Sequence, residues 1–156
     1  MRKHSILIID DTPMVLRALG DILKNDHNIL IAKSGEHGFL TAKKNRPSLI
    51  LLDIMMPGMS GFETMEVLQA DEQTKNIPVI FVSGDVAAET KEKGYRLGAI
   101  DFIEKPFIEI AIKRRINLII EYIDLKNQAA LSIEPDEEVQ PHPFVAGCNE
   151  MNPEGE

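Results

Sequence analysis

The sequence predicts an α/β fold: an open, doubly wound parallel sheet of five strands with helices on both faces. Three observations predict it. Five short runs rich in Ile, Leu, Val or Phe recur along the chain. Longer segments with apolar residues at helical spacing separate them. Polar, Gly or Pro residues bound each run. Short unbroken apolar runs suit strands covered on both faces, and their alternation with helices is the pattern of a parallel sheet.

The strands are expected at Ser5–Ile9, Asn28–Ile31, Leu49–Leu52, Val79–Val82 and Asp101–Ile103. After the first, Thr12 is a cap candidate with Pro13 behind it, and Leu16, Leu19 and Leu23 share one helical face. Ser34 precedes Gly35 and Glu36 as a second helix start. Phe62, Met65 and Leu68 form the face of a third helix. The fourth, near 87–97, has a weak apolar face. Ile112, Ile116, Ile119, Ile120 and Ile123 make a full stripe in the last. That stripe reads on into Leu125 and Leu131, so the last helix is expected to run to about Ala130 and to join two copies of the chain or a following domain. From about Ser132 the periodicity stops, and Pro135, Pro141, Pro143 and Pro153 crowd in among acids. The expected organisation is one domain over 1–131 and a flexible acidic tail over 132–156, too short to build an output domain.

The net charge of -8 divides unevenly. Residues 1–131 carry 18 acids and 17 Lys or Arg; residues 132–156 carry seven acids and no Lys or Arg. A nearly neutral domain offers no basic face for nucleic acid. The short run Lys113-Arg114-Arg115 reads as a solvated face. A single cysteine, Cys148, permits no intramolecular disulfide. No apolar run is long enough to span a bilayer and the N-terminus lacks a signal-peptide pattern, so a cytoplasmic protein without a membrane partner is expected. His4, His27, His37 and His142 show no ligand spacing and read as surface residues.

The residues at the strand ends carry the chemistry. Strand one ends in Asp10-Asp11, strand three in Asp53, strand four in Ser83-Gly84, and strand five in Glu104-Lys105-Pro106. Ligands bind at the carboxyl ends of strands in such sheets. Three carboxylates brought together repel and must hold a cation or protons. Hard oxygen ligands in a site that also takes phosphate favour magnesium, for which manganese could substitute. A lysine and a hydroxyl beside that cation match the oxygens of a phosphoryl group in transfer. The central carboxylate, Asp53, is then the nucleophile. Taken singly each residue has a plain reading: Asp10 and Asp11 as helix caps, Asp53 and Ser83 as turn residues, Lys105 as a solvated charge, Phe102 as core. Their coincidence at successive strand ends favours the functional one.

Four stretches, Ile8-Ile9-Asp10-Asp11, Leu51-Leu52-Asp53-Ile54-Met55-Met56-Pro57-Gly58-Met59-Ser60-Gly61, Ile80-Phe81-Val82-Ser83-Gly84 and Gly98-Ala99-Ile100-Asp101-Phe102-Ile103-Glu104-Lys105-Pro106-Phe107, together resemble the receiver domain of two-component response regulators. The resemblance spans about residues 4–125. It implies a flavodoxin-like sheet in the order 2-1-3-4-5, with Asp53 as phosphoacceptor. Asp11 and Asp53 would bind magnesium directly, Asp10 through water, and Met55 through its backbone carbonyl. Ser83, Gly84 and Lys105 would contact the phosphoryl group, with Ser83 and Phe102 as switch residues. On phosphorylation Ser83 is expected to move and Phe102 to turn inward. Lys105-Pro106 would be a cis peptide. Met55 and Asp85, two residues beyond Asp53 and Ser83, would flank the path of hydrolytic water: Met55 would shield it, and Asp85 would either orient the water or, the favoured reading, repel the phosphoryl charge. A sensor histidine kinase or phosphotransfer protein would supply the phosphoryl group and a downstream protein would read the result. The DNA-binding branch often carries paired acids before the switching aromatic; here the residues are Ile100 and Asp101, so dimerisation through that pattern is not expected.

Two other functions stay open at this point. A magnesium-dependent phosphohydrolase could turn over an Asp53 intermediate, but Ile54 and Met55 offer no general acid close behind the nucleophile and no cap insertion is present. The chain could also be the N-terminal receiver part of a longer regulator. An unphosphorylated scaffold is disfavoured because every site residue is present.

Overall fold

The structure, a computed structural model, describes residues 3–85 and 87–132. The chain falls into two compact units, 1–123 and 124–156. The expected tail beyond Ser132, with His142, and the side chain of Leu131 lie outside the described residues.

In the first unit, strands and helices alternate: β1 Ser5–Ile9, α1 Pro13–Leu23, β2 Asn28–Ala32, α2 Gly35–Asn45, β3 Leu49–Asp53, α3 Gly61–Ala70, β4 Val79–Ser83, α4 Ala88–Arg96, β5 Asp101–Glu104 and α5, which starts at Glu109 and runs to Ser132. The strands pair in parallel in the order β2-β1-β3-β4-β5. Side chains alternate across the sheet. Ile6, Ile8, Leu49 and Leu51 pack on one face with Leu16 and Leu19 of α1 and Ile112, Ile116 and Ile120 of α5. Leu7, Ile9, Ile50 and Leu52 pack on the other with Ala42 of α2 and Met65 and Leu68 of α3. Burying a Leu or Ile completely contributes about 1.5–3 kcal/mol, so a strand such as Leu49–Leu52, no more than 1% exposed at any position, is anchored from both sides.

Strands β2 to β5 each run one residue past the expected end. Asp53 pairs with Val82, and Ser83 with Glu104. Backbone pairing does not require an apolar side chain, so Asp53 and Ser83 themselves close the ladders. Ser34 caps α2, its Oγ accepting from the His37 N–H at 3.1 Å. Thr12 occupies the cap of α1 but makes no side-chain cap bond; Asp10 Oδ1 accepts from the Thr12 N–H at 2.9 Å instead. Helix α4 buries only Gly94, consistent with its weak apolar pattern.

Two sequence expectations need correction. The stripe of α5 does not continue into Leu125. Ile112, Ile116, Ile120 and Ile123 are buried against the sheet, whereas Leu125 is 65% exposed. Two residues beyond Ile123, a helix has turned by about 200°. Nor are His4 and His27 surface residues. They are 8% and 2% exposed, and their ring centroids lie 6.5 Å apart. His4 flanks the start of β1, where its Nδ1 lies 2.8 Å from Ser48 Oγ, and the His27 N–H donates back to Leu23 at the end of α1. Such chain ends are covered by their neighbours whatever the residue type.

Burial pushes the His27 imidazole below its ordinary value of 6.5, with the nearby Asp26 charge opposing. A lowered folded value means that the unfolded chain binds the proton first. Stability from this site is therefore complete above about pH 6.5 and is lost as pH falls toward the folded value. Between about pH 7.5 and pH 5.5 the urea midpoint of the wild type should fall more steeply than that of His27→Leu. Parallel profiles would refute a buried, neutral His27.

Candidate functional site

The carboxyl ends of β1, β3 and β5 bring the acids and the lysine together. Asp10 and Asp53 are buried, at 1% and 5% exposure, and Asp11 is half-buried. Lys105 Nζ lies 3.0 Å from Asp10 Oδ2 and 3.2 Å from Asp53 Oδ1. One carboxylate oxygen from each of Asp10, Asp11 and Asp53 lies within 4.8 Å of the others. One ammonium thus contacts two of three clustered carboxylates. Burial raises the Asp53 carboxyl above its usual range, and the neighbouring Asp10 charge adds to this, partly offset by Lys105. For Lys105, burial acts to lower its value, but Asp10 and Asp53 together win and raise it. The lysine is therefore cationic, while the acid cluster retains an excess of negative charge, which a divalent cation with hard oxygen ligands would neutralise. The residues present fit such an ion.

Two glycines and a cis bond shape the rim. Lys105-Pro106 is cis, and the Lys105 N–H donates to Ser83 O at 2.8 Å. Gly58 has φ +75°, in the left-handed region that glycine adopts without strain. Gly61 opens α3 directly beneath Asp53, its N–H donating to Ile54 O at 2.8 Å. Ser60 and Glu63 close a reciprocal capping box at the same helix start. Met55 is 71% exposed.

Other expected site residues face elsewhere. Ser83 is fully buried, and its Oγ accepts from the Asp85 N–H at 3.0 Å. The Asp85 carboxylate turns toward α4, accepting from the Ala87 N–H at 3.0 Å and from Thr90 Oγ1 at 2.8 Å. The first of these bonds, then the second, lowers its pKa. Gly84 is exposed at the rim. Phe102, expected to turn inward on phosphorylation, already lies inside at 5% exposure, between Phe81 and Tyr95 at centroid distances of 6.2 and 6.5 Å. The room comes from Gly94: a Cβ there would sit 3.0 Å from the Phe81 ring and 3.6 Å from that of Phe102. The ring stands inward in this structure.

Sequence reasoning missed several residues around β5. Arg115 donates to Phe102 O at 3.0 Å and pairs with Asp101 at 3.3 Å. Lys91 pairs with Glu104 at 3.2 Å and stands 5.9 Å over the Phe102 ring. No short-range spacing signals these contacts, since they join separate elements. A cleft of about 660 Å³ lies here; Lys91, Tyr95, Phe102, Pro106, Phe107 and Arg115 are among its lining residues.

The model of the response regulator receiver domain matches residues 6–117. The chain belongs to this family. Protein PilH of Pseudomonas aeruginosa is 37% identical over 116 residues, covering 74% of this chain and 96% of PilH. Histidine kinase P4 of Formosa agariphila is 35% identical over 119 residues, 76% of this chain but only 9% of that much longer protein. Receivers of this type therefore occur both nearly alone and within large signalling chains. The receiver domain of sensor histidine kinase PA1611 from Pseudomonas aeruginosa, solved with magnesium coordinated in its active-site cleft, covers 79% of this chain with TM-score 0.69 and 20% identity, a likeness of fold. Among the described residues no helix is long and apolar enough to cross a membrane.

Proposed function

We propose that this receiver accepts a phosphoryl group on Asp53 from a histidine kinase, a phosphotransfer protein or a small phosphodonor, and passes the signal to a partner protein. One observation carries the reading: the Asp53 carboxylate sits 3.2 Å from Lys105 Nζ, with an oxygen of Asp10 and Asp11 close enough to share one cation. In the transfer, an Asp53 oxygen attacks phosphorus. The new P–O bond forms as the bond to the donor breaks, and the donor leaves with its electron pair. Lys105 balances charge on the phosphoryl oxygens. Asp10, Asp11, Asp53 and the Met55 carbonyl would hold magnesium, which supplies a further positive charge beside the transferring group when bound. The domain's chemistry is confined to gaining and losing this one group.

Ser83 supplies the link outward. The Ser83 hydroxyl accepts from the Asp85 N–H and keeps its own proton to donate to a phosphoryl oxygen; movement toward that oxygen would stretch the Asp85 bond. Asp85 in turn ties the loop to Thr90 of α4. The signal would thus reach α4 and the cleft between α4, β5 and α5, with Phe102 as a fixed wall.

The test is labelling by acetyl phosphate or phosphoramidate. One phosphoryl mass should be added in the presence of magnesium, and excess chelator should abolish the gain. Undiminished labelling in chelator would remove the metal from the scheme. Met55 bears on the reverse reaction. Its exposed thioether cannot orient water and can shield the phosphorus, so Met55→Asn should shorten the phosphorylated lifetime several-fold. An equal or longer lifetime would count against this role.

A further inference from the structure

We infer that the free edge of β2 pairs antiparallel with β2 of a second copy of this chain, joining two sheets edge to edge. The sheet has two outer strands, β2 and β5. Exposed edges invite pairing, and proteins blunt them with charges, prolines or a covering group. Strand β5 is blunted: Asp101 and Glu104 stand in a strand of four residues, and Arg115 donates to the Phe102 carbonyl at 3.0 Å. Strand β2 is not. Its five residues, Asn28–Ala32, include no charge and no proline. Ile29 and Leu30 are half-buried, and Ile31 is 44% exposed. The Asn28 N–H donates to His4 O at 2.8 Å, and Ala32 O accepts from the Asp10 N–H at 3.1 Å. Backbone groups alternate along a strand, so Asn28, Leu30 and Ala32 turn theirs to β1 while Ile29 and Ile31 turn theirs outward.

These outward groups complement themselves. When Leu30 of one copy faces Leu30 of the other, Ile29 faces Ile31 of the second copy, and the same pair forms again across the two-fold axis. Each pair exchanges two N–H···O bonds, and its side chains meet on one face of the joined sheet. A slip of one residue would oppose side chains of different faces. A slip of two would set an Ile of each copy against His27 or Lys33 instead. Charge agrees with the direction. Asp26 and Lys33 flank β2 at its two ends, and both are exposed. Lys24, near the first, is engaged by Asp21 at 3.3 Å. An antiparallel partner brings Asp26 of each copy near Lys33 of the other, whereas a parallel one sets acid near acid and base near base. Because β2 lies at the opposite edge from β5, pairing leaves the cleft beside β5 open in both copies. A five-residue edge buries less than the roughly 1,000 Å² of a stable interface, so the association is weak.

Sedimentation of the full chain from about 10 μM to about 1 mM tests this. The average mass should climb from one chain toward two. Ile31→Lys should weaken the pairing by about tenfold or more, with unchanged circular dichroism. Ile31→Pro should abolish it, since the N–H it removes faces outward and the ladder to β1 is spared. Asp26→Lys should weaken it, and adding Lys33→Asp should restore it. In a Cys148→Ser background, Leu30→Cys should oxidise to a covalent dimer, because residues opposed on the two-fold axis lie within disulfide reach. Asn45→Cys, exposed at the end of α2, should not. A monomer throughout, a dimer indifferent to both Ile31 changes, equal cross-linking at positions 30 and 45, or a charge swap that fails to restore pairing would each overturn the proposal.

Discussion

Asp53→Asn is expected to abolish labelling by small phosphodonors, a loss of at least about a hundredfold, while leaving the protein folded. The amide has no nucleophilic oxygen of comparable basicity, and no other carboxylate of the site is placed in the middle of the sheet with Lys105 beside it. The stability of this variant is itself informative. Burial, then the Asp10 charge, raises the Asp53 carboxyl above its ordinary value. An acid whose folded value is raised is ionised at neutral pH at a cost to the fold. In chelator, therefore, Asp53→Asn should unfold at higher urea than the wild type near pH 7, and the advantage should shrink as the pH falls through the carboxylate range. Lower stability of the variant at neutral pH would mean that Asp53 is a structural partner of Lys105 before it is a reactive group.

The second large effect is expected at Gly61. A Cβ there would collide with Asp53 O and lie 2.6 Å from the Ile54 Cα. Both are backbone atoms, so no rotamer change relieves the clash. Either α3 or the end of β3 must move. Gly61→Ala should cost about 3 kcal/mol or more, a fall in Tm of about 10 °C, and should slow labelling because the Asp53 backbone is the part displaced. Gly20→Ala is the control. Nothing lies within 4 Å of its added Cβ on α1, so it should stabilise by about 0.5–1 kcal/mol. Equal stability of Gly61→Ala and the wild type would show that β3 and α3 are not packed as described.

These contrasts show which parts of the molecule are legible in the sequence. The strands are, because a run such as Leu49–Leu52 is covered on both faces and tolerates little but Leu and Ile. The converging carboxylates are, because topology places the ends of parallel strands on one edge and Asp10, Asp11 and Asp53 each lie just beyond such a run. Orientation is not. Whether the Ser83 hydroxyl faces the carboxylates or its own loop depends on the Asp85 N–H beyond it. Whether Phe102 lies in or out depends on the missing Cβ of Gly94 on another helix. The burial of His27 depends on the α1–β2 turn folding back on itself. Helix α5 shows the difficulty most clearly: a linear reading joins Ile123, which is buried, to Leu125, which is exposed.

The central claim is that the phosphoryl group resides on Asp53. After labelling in magnesium, borohydride reduction converts an aspartyl phosphate to homoserine, and peptide mapping by mass spectrometry locates the converted residue. Conversion at position 53 alone is the expected result. Conversion at Asp10 or Asp11, or a label that survives borohydride on a hydroxyl such as Ser83, would contradict it.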